Sequence, residues 1–136
     1  MRWSLPSKRA AISPFVDQLS AFIRTLIRDH SHDAGAEEDI ETAVREALAN
    51  AIVHGNQESP RKHVYVTCSC TLDGDISITV RDEGQGFDPG VLPDPTDRNN
   101  LLRSHGRGIY LIRALIDEVS FEEHGKVLYL RKKLMC

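Results

Sequence analysis

The sequence predicts an α+β fold: one two-layer sandwich whose mixed, mostly antiparallel sheet carries helices packed on one face. Two observations lead there. The hydrophobic period changes from about 3.6 to about 2 after the first two amphipathic segments and returns to the helical spacing near residue 108. Each strand that can be read has one polar and one apolar side, so the amphipathic helices have one sheet face to cover and solvent takes the other. At 136 residues the chain fits a single domain, 1–136, with room for one core and one site.

The first helix starts at Pro14, with Ser13 placed as its N-cap. Phe15, Leu19, Phe22, Ile23, Leu26 and Ile27 recur at three- and four-residue spacing, and the helix ends near Asp29. The stretch from His30 to Gly35 reads as a loop. With no third ligand at a suitable spacing, His30 and His32 are loop histidines rather than metal ligands. The second helix runs from Ala36 to His54, with Ile40, Ala43, Val44, Ala47, Leu48 and Ala51 on its apolar side. Glu37, Glu38 and Asp39 in its first turn suit the helix dipole, and Gly55 stops it. A polar loop from Asn56 to Lys62 follows.

Alternation then sets in. Val64, Val66, Cys68, Cys70 and Leu72 fall on one side of a strand, and Tyr65, Thr67, Ser69 and Thr71 on the other. Ile76, Ile78 and Val80 repeat the pattern against Ser77, Thr79 and Arg81. A two-residue turn between these strands would put their apolar sets on opposite faces, so the connection at Asp73-Gly74-Asp75 is expected to be a three-residue loop or a bulge. Cys68 and Cys70, side by side on one strand, are poorly placed for a bridge and read as small apolar core residues; with Cys136 they make no metal pattern. After Asp82 the glycines and prolines preclude regular structure through Arg98, and a lid loop is expected at about 87–105. A third helix, Gly108 to Asp117, buries Ile109, Ile112, Leu115 and Ile116. Strands Glu118–Glu123 and Lys126–Lys132 close the chain around a turn at His124-Gly125, and Trp3 to Leu5 supplies a short edge strand.

Composition narrows the function. A hydrophobic fraction of 40%, a charged fraction of 27% and the lack of a span-length apolar run describe a soluble protein without a membrane role. The first residues carry no secretion signal, so the expected location is cytoplasmic. A net charge of −3 argues against a nucleic-acid partner, and the short basic run Arg131-Lys132-Lys133 reads as a solvated chain end.

Three features carry chemistry. Glu46, Asn50 and His54 lie at i, i+4 and i+8, a polar stripe along the second helix. Asp82 shares the parity of Ile76, Ile78 and Val80, so its carboxylate points into the layer where the helices pack and needs a partner there. Gly84 and Gly86 after it let backbone come close, which suits a flat heterocycle whose exocyclic amino group donates to Asp82. Finally, Gly106-Arg107-Gly108 opens the third helix, where free N–H groups and the helix dipole favour anions such as phosphate.

The order of these features, helix Glu-x-x-x-Asn, strand Asp-x-Gly-x-Gly, lid, then Gly-x-Gly-helix, resembles the GHKL family of ATP-binding domains, also called the Bergerat fold. Glu46 to Gly55 is similar to its N box, Asp82-Glu83-Gly84-Gln85-Gly86 to its first glycine box and Gly106-Arg107-Gly108 to its second. Asn50-Ala51-Ile52-Val53-His54-Gly55 and the stretch Gly108 to Val119 are most similar to the bacterial anti-sigma factor serine/threonine kinases. The resemblance covers the chain from about Phe15 onward.

It implies that ATP and Mg²⁺ are the cofactors. Asn50 would coordinate Mg²⁺, Asp82 would bind the adenine amino group, and Gly84, Gly86, Gly106 and Gly108 would shape the pocket. Glu46 would be the general base toward a Ser or Thr hydroxyl of a protein substrate, and either Arg107 or Arg103 would steady the γ-phosphate. The implied partners are an anti-anti-sigma protein as substrate and a sigma factor; whether the chain pairs with itself stays open. Two other functions fit parts of the pattern: a non-catalytic ATP-binding module that switches partners, and the ATPase fragment of a histidine kinase, which would need a dimerisation hairpin with a phosphoacceptor histidine. In one departure from the family, which often carries Gly-Thr near the last strand to help hold adenine, Gly125 is followed here by Lys126, Val127 and Leu128.

Overall fold

A computed structural model describes residues 1–27, 34–84 and 104–134. Five strands, β1 (Arg2–Pro6), β2 (His63–Cys70), β3 (Ile76–Arg81), β4 (Glu118–Glu122) and β5 (Val127–Lys132), form one sheet in the order β1-β2-β3-β5-β4. All four of its pairings are antiparallel, so the expected mixed sheet proves wholly antiparallel among the described strands. Helices α1 (Ile12–Ile27), α2 (Ala34–Ala49) and α3 (Ser104–Leu115) supply the second layer, and the two-layer α+β architecture is as predicted.

Strand alternation explains which side they cover. Val64, Val66, Cys68, Ile76, Ile78, Val80, Leu128 and Leu130 all face the helices and are buried, whereas Tyr65, Ser69 and Arg81 between them are exposed. Burying that many aliphatic side chains, each contributing roughly 1.5–3 kcal/mol, drives the layers together. Helix α2 lies centrally: Ile40, Ala43, Val44, Ala47 and Leu48 are all buried, and it packs on both α1 and α3. At the β1 edge, Trp3 stands edge-on to Phe15 and Phe22 of α1, with ring centroids 5.4 and 5.5 Å apart.

Several boundaries differ from expectation. A 3₁₀ turn over Arg9–Ala11 leads directly into α1, which starts at Ile12; Ser13 lies inside the helix, and its Oγ accepts a hydrogen bond from Arg45 Nη1 at 3.0 Å instead of capping. Helix α2 is α-helical only to Ala49, and Asn50–Gly55 form a π-helical turn in which the Asn56 N–H reaches back to the Ala51 carbonyl at 2.8 Å. Helix α3 begins four residues before Gly108 and ends at Leu115.

The β2–β3 connection has the three-residue length that parity requires but lies one residue earlier than the expected Asp73-Gly74-Asp75. Cys70 pairs with Ile76, the Thr71 N–H donates to the Asp75 carbonyl at 2.7 Å, and the loop proper is Leu72-Asp73-Gly74, with Gly74 at φ +87°. The apolar sets of β2 and β3 therefore share a face. Leu72 is not part of it: it sits at the loop tip, fully exposed. Cys70 is exposed as well, although its cross-strand partner Ile76 is buried, so of the two cysteines only Cys68 belongs to the core. Burial pushes the Cys68 thiol up to about 12, which leaves it unreactive near neutral pH.

Candidate active site

The described part of the site lies where the π turn, the end of β3 and the start of α3 meet. In the π turn each residue advances the chain by less rotation than in an α-helix, a form that often marks functional positions. Here it brings the Gly55 backbone against the loop that follows β3. A β-carbon at Gly55 would collide with the Asp82 carboxylate, and one at Gly84 with the Gly55 carbonyl. Two backbones thus touch at a distance that only glycine permits.

Asp82 points inward, as its parity requires, and retains 9% exposure. Its N–H donates to the Lys126 carbonyl at 3.0 Å, which continues the β3–β5 ladder one residue past β3. Its Oδ1 accepts the Gly84 N–H at 2.8 Å. Burial pushes the Asp82 carboxyl above the usual carboxylate range, against the opposing pulls of the Gly84 N–H, Lys126, Lys62 and Arg81. Among the described residues Asp82 takes one direct hydrogen bond, from the Gly84 backbone, and a desolvated acceptor held in this way is suited to a ligand that brings its own donor.

On the other side of this junction, Glu46 and Asn50 converge on one point of α3. A β-carbon at Gly108 would stand 3.0 Å from Glu46 Oε2, 3.2 Å from Asn50 Nδ2 and 3.5 Å from Asn50 Oδ1. The two side chains are partly buried, and Asn50 Nδ2, fully enclosed, is without a hydrogen-bond partner among the described residues. An orphaned amide of this kind costs roughly 1–3 kcal/mol, so its retention argues for a ligand that satisfies it. A half-turn about the last side-chain bond exchanges N–H donor and carbonyl oxygen at that position, so the amide can serve a phosphate oxygen or a cation. Among the described residues no three His, Cys, Asp or Glu side chains group as a metal site.

Of the residues singled out in the sequence, Glu46, Asn50 and Gly108 come together, as do Asp82, Gly84 and Gly55. His54, the third member of the expected stripe, lies on the exposed side of the π turn, because the wider turn breaks the i, i+4 phase. Gly106 and Arg107 fall in the first turn of α3, so the second glycine element lies inside the helix rather than before it; their side chains, together with Gly86, Arg103 and almost all of the expected 87–105 lid, lie outside the described residues. The turn that replaces Gly-Thr is held by Gly125 at φ +85°, and through its carbonyl Lys126 holds the Asp82 backbone.

Sequence reasoning missed Asn56, placed in a polar loop but fully buried. Its Nδ2 donates to Ser7 Oγ at 2.8 Å and to the His63 carbonyl at 2.9 Å, and its Oδ1 accepts the Glu83 N–H at 2.7 Å. It also missed Tyr65, whose hydroxyl donates to Glu83 Oε1 at 2.8 Å on the outer side of the same loop; this bond and the His63 N–H hold the Glu83 carboxyl below the usual range. Neither residue belongs to a motif, and only the tertiary pairing of the loop with the π turn reveals them.

Comparison with known proteins yields concordant likenesses. The family described as "Histidine kinase-like ATPase domain" matches residues 12–132. The anti-sigma F factor of Heyndrickxia coagulans is 38% identical over 100 residues, 69% of this chain and 67% of that protein. The anti-sigma F factor of Oceanobacillus iheyensis is 34% identical over 132 residues, 93% of this chain and 82% of that protein. Among solved structures, that of the RsbU and RsbW domains of a Mycobacterium tuberculosis protein superposes with a TM-score of 0.60 at 19% identity, a likeness of fold; it covers 98% of this chain, which spans only 32% of the larger one. The histidine kinase domain of the blue-light activated kinase from Erythrobacter litoralis does so with a TM-score of 0.53 at 17% identity, over 90% of this chain and 61% of that one.

Proposed function

The chain belongs to the histidine kinase-like ATPase domain family, and from that premise we propose that it is an ATP-dependent serine/threonine protein kinase of the anti-sigma factor type. On this reading it phosphorylates an anti-anti-sigma protein and sequesters a sigma factor. Both partners are taken from its likeness to anti-sigma F factors over 93% of its length. No helix among the described residues is long and apolar enough to cross a membrane, and the proposed place of action is the cytoplasm.

The observation that carries the reading is the convergence of Glu46 and Asn50 over Gly108, across the junction from the inward-facing Asp82. Adenine would lie against Gly55 and Gly84 with its amino group donating to Asp82. The phosphates would run toward α3, whose N-terminal N–H groups and dipole favour anions, with Gly86, Gly106 and either Arg103 or Arg107 completing the cradle. Magnesium, bound with the nucleotide, supplies charge neutralisation on the phosphate oxygens, and Asn50 is the residue to hold it. Glu46, one turn before Asn50 on the same helix, is left to orient the incoming Ser or Thr hydroxyl and accept its proton. Positioning and charge are what phosphoryl transfer asks of a protein, so one free carboxylate suffices.

The test is transfer of label from radioactive ATP to a candidate anti-anti-sigma partner. Glu46→Gln is expected to lower the rate by about 10²- to 10⁴-fold while ATP affinity, measured by calorimetry, stays within about threefold. Unchanged labelling would reject Glu46 as the base. Absence of labelling from the wild-type chain, with ATP still bound, would favour a module that holds nucleotide without transferring phosphate.

A further inference from the structure

Asn56 grips the loop that carries Asp82. The Glu83 N–H that it accepts belongs to the peptide directly after Asp82, while the Asp82 N–H is pinned by the Lys126 carbonyl. Both peptides that flank Asp82 are therefore fixed, one by a strand and the other by a single side chain. Asp82 Oδ1 is in turn tied to the Gly84 N–H, so the direction of the remaining oxygen follows from the placement of the loop. Asn56 is itself braced by Ser7 Oγ, by the His63 carbonyl and, through its own N–H, by the Ala51 carbonyl. Ser7 is buried and donates to the Lys62 carbonyl at 2.7 Å. Both donor bonds of the Asn56 amide and one acceptor bond of its oxygen are spent on this clamp, and its neighbour Gly55 presses on Asp82 and Gly84.

We propose that Asn56 is a positioning residue for base recognition: through the Glu83 N–H it sets the attitude of Asp82, and so makes the pocket prefer a purine with a 6-amino donor over one with a 6-oxo acceptor. The proposal rests on the pocket reading given above. A 6-oxo group opposite a carboxylate leaves two acceptors facing each other, and a site built to hydrogen-bond an amine rejects such an analogue strongly. That rejection depends on the carboxylate being held in place.

Calorimetric titration of the full chain with the magnesium complexes of ATP and of inosine triphosphate tests it. The wild-type chain is expected to prefer ATP by at least about tenfold. Asn56→Ala is expected to bind ATP about tenfold more weakly and inosine triphosphate within about twofold of wild type, so that the preference collapses. A purely structural asparagine would lower both affinities together or neither. Glu83→Pro, at an exposed position, deletes the same hydrogen bond from the donor side and should collapse the preference too. Glu83→Ala keeps the N–H and should retain it. This second pair decides the matter even where Asn56→Ala does not fold. Retention of the preference in Asn56→Ala or in Glu83→Pro overturns the proposal. A wild-type chain with no preference, or an Asp82→Asn variant that keeps one, instead overturns the underlying assignment of Asp82.

Discussion

Asp75 and Asp82 stand at the two ends of β3, equally withdrawn from solvent at 8% and 9% exposure, yet their surroundings have little in common. Asp75 Oδ2 accepts two hydrogen bonds from Arg131, at 3.0 Å from Nε and 2.9 Å from Nη2, and its N–H donates to Thr71 Oγ1 at 3.1 Å. Arg131 also reaches Asp73 at 3.1 Å, so the hairpin loop and β5 are laced together. Asp82 has, among the described residues, a single backbone N–H on its carboxylate and a close wall of glycine backbone. A buried carboxylate with a forked cation is closed chemistry, and its role is to hold a turn. One that is desolvated and pinned through one oxygen by a single backbone N–H among the described residues is open chemistry, and on the proposed reading it waits for a donor from outside.

The two aspartates should therefore respond in opposite ways to the same change. Asp82→Asn is expected to weaken ATP binding about hundredfold, because the amide presents the wrong group to the adenine amine. Its thermal stability should hold or rise slightly, since a neutral side chain avoids the desolvation of the carboxylate. Asp75→Asn should leave ATP affinity within about twofold. A comparable loss of nucleotide in both variants, read by calorimetry, would erase the distinction. The next effect concerns stability alone. Arg131→Ala leaves Asp75 buried without its cation and should lower the midpoint of chemical denaturation by more than an ordinary surface substitution does, though by less than the loss of a fully buried pair because the arginine is a quarter exposed. A loss no larger than that of an ordinary surface substitution would show that the hairpin does not depend on the fork.

Both aspartates were legible to different depths. The inward direction of Asp82 followed from parity with Ile76, Ile78 and Val80, since a strand's two-residue period leaves no choice of face. The three-residue loop beside Asp75 followed from the same rule applied across the turn. What the chain did with Asp75 was not legible, because its partner Arg131 lies 56 residues away in a run that composition alone marks as a solvated end. Cys70 and Leu72 show the limit of the same rule: parity names a face but neither where the strand gives way to the loop, which takes Leu72, nor whether a residue on that face is covered, since Cys70 is exposed beside its buried partner Ile76. In the site, Glu46 and Asn50 could be paired through helical spacing. His54 could not be separated from them, because no residue pattern announced that the last turn of the helix would widen. Asn56, directly after that turn, was hidden for a similar reason: two of its three side-chain hydrogen bonds go to Ser7 and Glu83, 49 and 27 residues away.

The contrast can be put to the carboxyl group itself. A carboxyl whose pKa is raised in the folded chain binds its proton more tightly there than when unfolded. Asp82 therefore contributes a stability that is present at low pH and lost as pH rises from the ordinary carboxylate value through the raised one. Nucleotide binding runs the other way: a donor amine needs the ionised form, so ATP affinity should fall as pH drops below the raised value. Carbon-13 NMR titration of the Asp82 carboxyl, with and without saturating Mg²⁺–ATP, reads both at once. The account predicts a midpoint above the usual carboxylate range in the free chain that moves down when ATP is bound. A midpoint indifferent to saturating nucleotide would contradict it.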